Sequence, residues 1–302
     1  MMKIGIIGLG DIATKAYLPV MGRKNLEVHL FTRNEKNLMT VAEQYRFQNR
    51  HQSLDSLIHS GIKAAFVHTA TSSHLEIVEM LLHSNIHVYV DKPVTYDFDT
   101  TEKLVALAEK RGLTLMAGFN RRYAPAYLNL KQLKDPNMFV MQKNRASLPG
   151  DVRGFIFDDF IHVVDTLLFL FSPSVEKVSV SGRKTAGLLN HVVVQLHSSD
   201  GTTAIGIMNR DSGTVEERVE VFTPIEKWVV TNLTETTVFR QGNATRKSTH
   251  DWESTLHKRG FEQITEAFIQ NILKGSSPHQ LHQEILQTHE LCEKIVHDLN
   301  AG

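Results

Sequence analysis

Three side chains of the sequence have the types and spacing that proton and hydride transfer require. Lys92 follows the strand-like run HVYVD, and an ammonium group at the carboxyl end of a parallel strand can hydrogen-bond a reacting oxygen and stabilise alkoxide character. Asp158 and His162 stand four residues apart at a predicted helix start, which brings both side chains to one helix face. Because the ordinary pKa of histidine is about 6.5, His162 is the natural proton acceptor. This set predicts the oxidation of an alcohol, in which a base takes the hydroxyl proton while hydride leaves carbon.

The same residues also have ordinary structural uses. Lys92 is equally typical of a solvated charge at a strand end, Asp158 of a helix N-cap, and His162 of a partly buried helix residue. The chemical interpretation therefore depends on all three occurring together.

A glycine-rich run predicts where a dinucleotide would bind. Gly8 and Gly10 directly follow the strand-like run KIGII, and Asp11 and Ile12 begin a helical pattern, which is the context of a dinucleotide-binding turn. The glycines let the backbone approach a pyrophosphate, whose charge is met by free N–H groups at the helix start. An ordinary glycine turn is the alternative.

The end of the second predicted strand bears on the choice of cofactor. Thr32 and Arg33 stand where an acid would bind the ribose 2′-hydroxyl of NAD. A guanidinium suits a 2′-phosphate better, so NADP is favoured over NAD. In the alternative interpretation Arg33 lies in solvent and Glu35 contacts the ribose.

The order of the predicted elements divides the chain into two domains. In residues 1–122, β-rich runs alternate with helical patterns that have Asn34 and Ser53 as N-caps and Gly112 as a helix end, which predicts a doubly wound parallel Rossmann sheet. In residues 123–302, a helix at about 158–171 precedes many strands and two closing helices, which predicts a mostly antiparallel open sheet for substrate binding and oligomerisation. The fold class is α/β plus α+β.

Composition narrows the classes of partner. The 302 residues contain 33 basic and 33 acidic side chains, so no charge excess favours nucleic acid or an anionic membrane. The single cysteine, Cys292, cannot form an internal disulfide, which agrees with the cytoplasm. We expect no signal peptide or membrane helix, and a small-molecule substrate.

Further motifs resemble the Gfo/Idh/MocA family of oxidoreductases. The DKP of residues 91–93 is similar to the family's E-K-P, and GFNRRY with Pro125 is similar to its G-F-N-R-R-F-x-P. Asp158, His162 and Asp165 are similar to its D-x-G-x-H-x-x-D. The likeness covers essentially the whole chain, and several segments look closest to an MviM-like branch named for virulence factors.

The resemblance implies roles for individual residues. Lys92 and His162 would be catalytic, Asp158 would bind the substrate or orient His162, and Asn120 would lie near the nicotinamide ribose or the substrate. Phe160 stands where the family has glycine, which narrows the space expected beside the nicotinamide. Other departures are Asp91 in place of glutamate, and Ala70 and Thr71 in place of Pro-Asn.

Several other residues are weaker candidates. Thr69 and His74 could approach the nicotinamide half of the cofactor, although a histidine such as His74 is as often packing or capping. Arg121 and Arg122 could hold a substrate anion or phosphate, or brace the domain interface by ion pairs. Trp252 could stack on a sugar, although a lone tryptophan is more often a core or interface residue. Asp165 fits a structural role better than a chemical one. The histidines of the last helix and Cys292 do not make a set of four metal ligands and predict a solvated polar face, so no metal is expected.

These observations favour an NAD(P)-dependent oxidoreductase that acts on a CH–OH or C=O group of a sugar, cyclitol or sugar derivative. Two alternatives stay open: a nucleotide-binding regulator or redox sensor on the same fold without turnover, and a lyase or glycosidase that recycles its cofactor. We also expect a homo-oligomer, a dimer or tetramer, because one face of the second sheet needs cover.

Overall fold

The structure is a computed structural model that describes residues 1–171, 173–249 and 251–301. The chain forms two compact units, one of Met1–Gly118 with Phe261–Leu286 and the other of Phe119–Gly260 with Gln287–Gly302. No helix within the described ranges combines the length and the apolar character needed to span a bilayer.

The first unit is built on a parallel sheet of six strands in the order β3-β2-β1-β4-β5-β6. Of its two central strands, β4 is apolar and buried throughout and β1 is so from Ile4 onward, as expected for a sheet covered on both faces. Ile4 of β1 pairs with Val28 of β2 on one side and with Ala64 of β4 on the other. The strands are β1 Met2–Ile7, β2 Leu26–Phe31, β3 Asn49–His51, β4 Ala64–Val67, β5 His87–Val90 and β6 Leu115–Ala117.

Helices connect these strands, and polar caps fix where several of them begin. The side chains of Asn34, Ser53 and Asp97 each accept a hydrogen bond from a backbone N–H three residues later. The N-caps predicted at Asn34 and Ser53 are thus confirmed. The helices are a π-helical turn Ala13–Tyr17, α1 Leu18–Met21, α2 Glu35–Tyr45, α3 Leu54–His59, a 3₁₀ turn Thr71–Ser73, α4 His74–His83 and α5 Phe98–Lys110.

A helix from the far end of the chain completes the core of the first unit. Phe268 lies on α10 (Phe261–Lys274), and its ring packs edge-on against Phe66 of β4 and against Tyr89 of β5, with centroids 5.0 and 5.7 Å apart. Phe261 meets Tyr17 in the same way. The first unit therefore includes a second segment of the chain, whereas the sequence predicted one domain boundary at residue 122. The cause is that Phe261 and Phe268 pack on aromatic side chains of the first unit.

The second unit contains an eight-stranded sheet in the order β14-β13-β12-β11-β7-β10-β9-β8. All of its pairs are antiparallel except that of β7 with β10, so the predicted mostly antiparallel sheet is confirmed. Its strands are β7 Met138–Asn144, β8 Lys177–Thr185, β9 Leu188–His197, β10 Thr203–Asn209, β11 Glu216–Phe222, β12 Lys227–Thr231, β13 Glu235–Arg240 and β14 Asn243–Lys247.

One face of this sheet is covered by a helix that begins irregularly. A short helix α7 (Val152–Gly154) passes into a π-helical segment, Phe155–Phe160, and then into α8 (Ile161–Leu170). The predicted helix at about 158–171 is therefore confirmed from Ile161 onward, with a wider turn before it. The other helices are a 3₁₀ turn Asn120–Tyr123, α6 Pro125–Lys131, α9 Thr255–Lys258 and α11 His279–Ala301, the last beginning in the first unit.

Candidate active site

The glycine turn of the first unit has the backbone that a bound pyrophosphate requires. Gly8 has φ +85°, and a Cβ there would lie 2.8 Å from the backbone of His68, so only glycine fits where the segments that follow β1 and β4 lie close together. At Gly10 a Cβ would meet nothing within 4 Å, which leaves the backbone open to a ligand. Asp11 and Ile12, which begin the helix, are both exposed. These residues fit a dinucleotide.

The end of β2 leaves the cationic side chain of Arg33 available. Arg33 is exposed, and within the described part of the chain no carboxylate forms an ion pair with it. Thr32 beside it is half-buried. Glu35, the alternative ribose ligand, is exposed in the first turn of α2.

The ring of His74 ties two loops of the first unit together. Its Nδ1 lies 3.0 Å from the carbonyl oxygen of Pro93, and its Nε2 lies 3.1 Å from that of Thr69. Burial lowers the pKa of His74, against the effect of these backbone hydrogen bonds. His74 would therefore contribute to a cofactor site by holding the two loops in place. One of these loops carries Thr69, whose buried Oγ1 has no hydrogen-bond partner among the described residues.

Lys92 follows a buried polar cluster that sequence reasoning missed. The Tyr17 and Tyr89 hydroxyls lie 2.6 Å apart, and the Asp91 carboxylate lies 2.9 Å from Nδ1 of His68. The ring of Tyr17 stacks on that of His68 at 4.1 Å. Burial, followed by the neighbouring Tyr89 phenol and the charge of Asp91, raises the pKa of Tyr17 well above its ordinary value. The cluster fixes the backbone immediately before Lys92, whose peptide bond to Pro93 is cis.

In the second unit, Arg121 joins His162 to a buried carboxylate. Arg121 donates from Nη1 to Nδ1 of His162 at 2.8 Å. Its Nε and Nη2 donate to the two oxygens of Glu217 at 2.8 and 2.7 Å, and Tyr127 donates to the same carboxylate at 2.9 Å. Burial alone would raise the pKa of Glu217, but the charge of Arg121 and these hydrogen bonds lower it to about 2. Of the two candidate arginines, Arg121 is therefore the one beside His162.

The neighbouring carboxylates Asp158 and Asp159 have opposite environments. Asp158, the predicted candidate, is exposed on the π-helical segment. Asp159 is buried and accepts from Lys143 at 2.5 Å and from Nε of Arg145 at 2.9 Å. Burial would raise the pKa of Asp159, but the hydrogen bonds from Arg145 and the charge of Lys143 hold it far below its ordinary value.

Asn120 and Arg122 both have structural contacts within the second unit. The Asn120 amide donates to the backbone carbonyl of Arg259 at 2.8 Å. Arg122 donates to the buried carboxylate of Asp165 at 2.8 Å, which agrees with the structural role expected for Asp165. Trp252 is 98% exposed.

The bulk of Phe160 is accommodated in the core of the second unit. Its ring is fully buried, and a Cβ built on Gly206 of β10 would lie 3.5 Å from its Cζ. The same Cβ would lie only 2.9 and 3.0 Å from Leu167 and Val163. Phe160 thus packs over a position where the sheet has no side chain, and its effect on the space beside the nicotinamide stays a prediction.

The burial of the histidines on the last helix differs from the prediction. His282, His289 and Cys292 are fully buried, so the prediction of a solvated face is wrong for these three. Sequence reasoning erred because α11 packs along more of its circumference than its polar residues indicate. Among the described residues no group of three or more potential ligands could hold a metal ion.

The strand order 3-2-1-4-5-6 and the open glycine turn at the carboxyl end of β1 define a dinucleotide-binding domain, here joined to an antiparallel-sheet unit. Comparison with known proteins agrees with this class. Residues 2–119 match the family model GFO_IDH_MocA, described as an oxidoreductase family with an NAD-binding Rossmann fold, and residues 125–241 match that of the YceM-like C-terminal domain.

The relatives match at least nine-tenths of the chain. YceM of Salmonella typhimurium, named as an oxidoreductase, is 33% identical over 98% of both chains. The crystal structure of the dehydrogenase MviM from Clostridium difficile superposes with a TM-score of 0.94 at 32% identity, covering 99% of each chain. Myo-inositol 2-dehydrogenase of Thermotoga maritima is 25% identical over 92% of this chain and 90% of its own. The chain therefore belongs to the Gfo/Idh/MocA family of oxidoreductases, as its motifs predicted.

Proposed function

We propose that the protein transfers hydride between NADP, or less favourably NAD, and a CH–OH or C=O group of a sugar, cyclitol or sugar derivative. The observation that carries the proposal is the glycine turn, where Gly8 has a positive φ and the backbone at Gly10 is open to a ligand. When bound there, the nicotinamide would supply hydride for a reduction or accept it in an oxidation. The polyol named for the Thermotoga relative supports the substrate class.

Side chains of the protein would transfer the proton and stabilise the charge on the reacting oxygen. An arginine can only donate, so Nδ1 of His162 must accept, and a neutral His162 then carries its proton on Nε2. In this form His162 would donate a proton or a hydrogen bond to a substrate oxygen, which suits the reduction of a carbonyl. Lys92 would stabilise negative charge on the reacting oxygen, and the exposed Asp158 would bind a substrate hydroxyl.

Turnover of two variants tests these roles. NADPH and NADH are offered with a panel of polyols and ketosugars, and the absorbance of the reduced nicotinamide is followed. We expect Lys92→Met and His162→Ala each to lower kcat/KM by at least ~100-fold while NADPH binding persists. Lys103→Met and His297→Ala, which change exposed residues, are the matched controls.

Wild-type turnover in both active-site variants would overturn the assignment. A wild-type protein that binds NADPH, turns over no member of the panel and captures a protein partner would instead be a regulator. Tight cofactor retention with conversion of a glycoside and no net absorbance change would indicate lyase or glycosidase chemistry.

We also propose a cytosolic homo-oligomer, a dimer or tetramer. On β10 the residues Ala204, Gly206 and Met208 are buried on the face that α8 covers, whereas Ile205 and Ile207 on the opposite face stay partly exposed. A second copy would cover them. Light scattering that gives a monomer at micromolar concentration would contradict this. The single cysteine, Cys292, is consistent with a reducing compartment.

A further inference from the structure

A small cavity of the second unit has a cationic wall, and one residue of that wall, Arg121, contacts His162. It has a volume of about 110 Å³ and its lining includes Arg121, Lys143, Arg145 and Arg259. Arg121 belongs to this wall and also donates to His162, so a group in the cavity would lie one guanidinium away from that histidine. The volume is that of several water molecules, which is enough for one carboxylate or phosphoryl group.

The charges around the cavity do not cancel. Four cationic side chains line it, whereas the nearby carboxylates are Glu216 and Glu217 of the lining and Asp159 behind Lys143 and Arg145. The excess cation is Arg259. Its side chain is exposed, and no carboxylate pairs with it within residues 1–171, 173–249 and 251–301.

The cations retain donors after their internal contacts. Lys143 has three N–H donors and uses one on Asp159, and Arg145 has five and uses two on the same carboxylate. Because the Lys143 side chain is only 5% exposed, a remaining donor there is held in a site of reduced dielectric, where a charge-assisted hydrogen bond is stronger than in water.

We infer that this cavity binds an anionic group, a carboxylate or a phosphoryl group, carried by the molecule on which the protein acts. The inference rests on the proposed function and narrows its substrate class to acidic or phosphorylated sugar derivatives. Arg259 binds the anionic group from the exposed side, Lys143 and Arg145 bind it from the end of β7 and the residue that follows it, and Arg121 fixes it relative to His162.

Direct binding of two probes tests the inference. Inorganic phosphate and D-gluconate are titrated by calorimetry into wild-type protein that is saturated with NADPH, at constant ionic strength, with myo-inositol as the uncharged comparison. We expect Arg259→Gln to weaken the Kd of the preferred anion about tenfold, since one charge-assisted hydrogen bond is lost. Arg183→Gln, a change of an exposed arginine on β8, should leave the Kd unchanged.

The titrations distinguish a sugar acid from a phosphorylated sugar as the ligand. They also test the anion site separately from the proposed function. A preference for gluconate indicates a sugar acid, and a preference for phosphate indicates a phosphorylated sugar. Wild-type affinity in Arg259→Gln, or no binding of either anion by wild-type protein, would overturn the inference. Because NADPH binding is measured on the same samples, its absence would count against the proposed function alone, and the titrations repeated without NADPH would still decide the anion site.

Once a substrate is found, kinetics give a second readout. Arg259→Gln should raise KM about tenfold for the anionic substrate with little change in kcat, because binding of a remote group is lost without loss of the chemical groups. A fall in kcat at unchanged KM would contradict the inference.

Discussion

The guanidinium of Arg121 donates to Nδ1 of His162 at 2.8 Å, and the same guanidinium is held by both oxygens of Glu217. A doubly protonated His162 would have to direct its Nδ1 proton toward a group that cannot accept it, so this contact favours the neutral imidazole. Fixing the tautomer of a catalytic histidine is commonly done by a carboxylate or carbonyl, which leaves Nε2 as a base. Here the orienting group is a cation, and Nε2 becomes the donor.

We predict that ¹⁵N NMR of histidine-labelled protein assigns the Nε2–H tautomer to His162 near pH 7. The resonance is identified by its loss in His162→Ala, with His297→Ala as the exposed comparison. A ring protonated on Nδ1 would contradict the hydrogen bond and return His162 to the role of a base.

The affinity for an anion should fall as pH rises above about 7. Burial, followed by the charge of Arg121, lowers the pKa of Lys143 to about 7, while Asp159 and Glu217 oppose the shift. A bound anion favours the charged ammonium, so the full affinity is present below this pKa and declines by up to about tenfold per pH unit above it.

Calorimetric titration of phosphate and gluconate between pH 6 and pH 9 measures this effect. Phosphate itself loses a proton near pH 7, whereas the carboxylate of gluconate stays ionised from pH 6 to pH 9. Gluconate is therefore the decisive probe. Lys143→Met should bind gluconate weakly and with an affinity that varies little with pH. An affinity for gluconate that rises with pH would exclude Lys143 as the titrating group.

Selection of NADP should depend on the exposed Arg33. We expect Arg33→Asp to weaken NADPH binding at least tenfold, since a charge-assisted hydrogen bond to the 2′-phosphate is replaced by repulsion, while NADH binding changes much less. Fluorescence titration of both nucleotides measures the ratio. Glu35→Gln is the comparison: if it weakens NADH binding and Arg33→Asp leaves NADPH binding unchanged, the ribose contact belongs to Glu35.

Gly206 should be required for the packing of Phe160. In Gly206→Ala the new methyl group would lie 2.9 Å from Leu167 and 3.0 Å from Val163. Overpacking of this kind costs about 1 to 3 kcal/mol of unfolding free energy, which urea denaturation would detect. Gly213→Ala, where a Cβ meets nothing within 4 Å, should be neutral or slightly stabilising. Equal stability of both variants would show that the sheet tolerates the bulk.

Local patterns were enough to predict most of the parallel sheet and its glycine turn. Buried strands, N-caps such as Asn34 and the turn at Gly8 are decided by neighbours in sequence, so they can be read directly. The strands β3, β7 and β14 were missed. In β7 the alternation ends on the buried, charged Lys143, whose partner Asp159 lies on another element.

The neighbouring carboxylates Asp158 and Asp159 show why prediction from the sequence was incomplete at the level of single residues. Asp158 was chosen by its spacing from His162 in a regular helix, but the π-helical segment inserts a wider turn and brings Asp159 inward instead. The pairing of Arg121 with Glu217 joins residues 96 apart. A sequence shows that both charges exist, and only the folded sheet shows that they meet.

The contact of Phe268 with Phe66 and Tyr89 predicts that the first unit needs the distant helix α10. Phe268→Ala should cost about 3 to 5 kcal/mol of unfolding free energy, as for other large buried aromatic residues, measured by urea denaturation. Leu273→Ala, an exposed position of the same helix, is the control. Equal effects would mean that α10 is dispensable.

The return of residues 261–286 to the first sheet also sets the order in which the protein can mature on the ribosome. Ordinary N-terminal domains fold while the remainder is still being translated. Here the strands made first must wait for about 140 further residues, at a synthesis rate of roughly 5 to 20 residues per second, before their aromatic cover emerges. For that interval of seconds a nascent chain carries Phe66 and Tyr89 without the ring of Phe268 that packs on them in the folded unit.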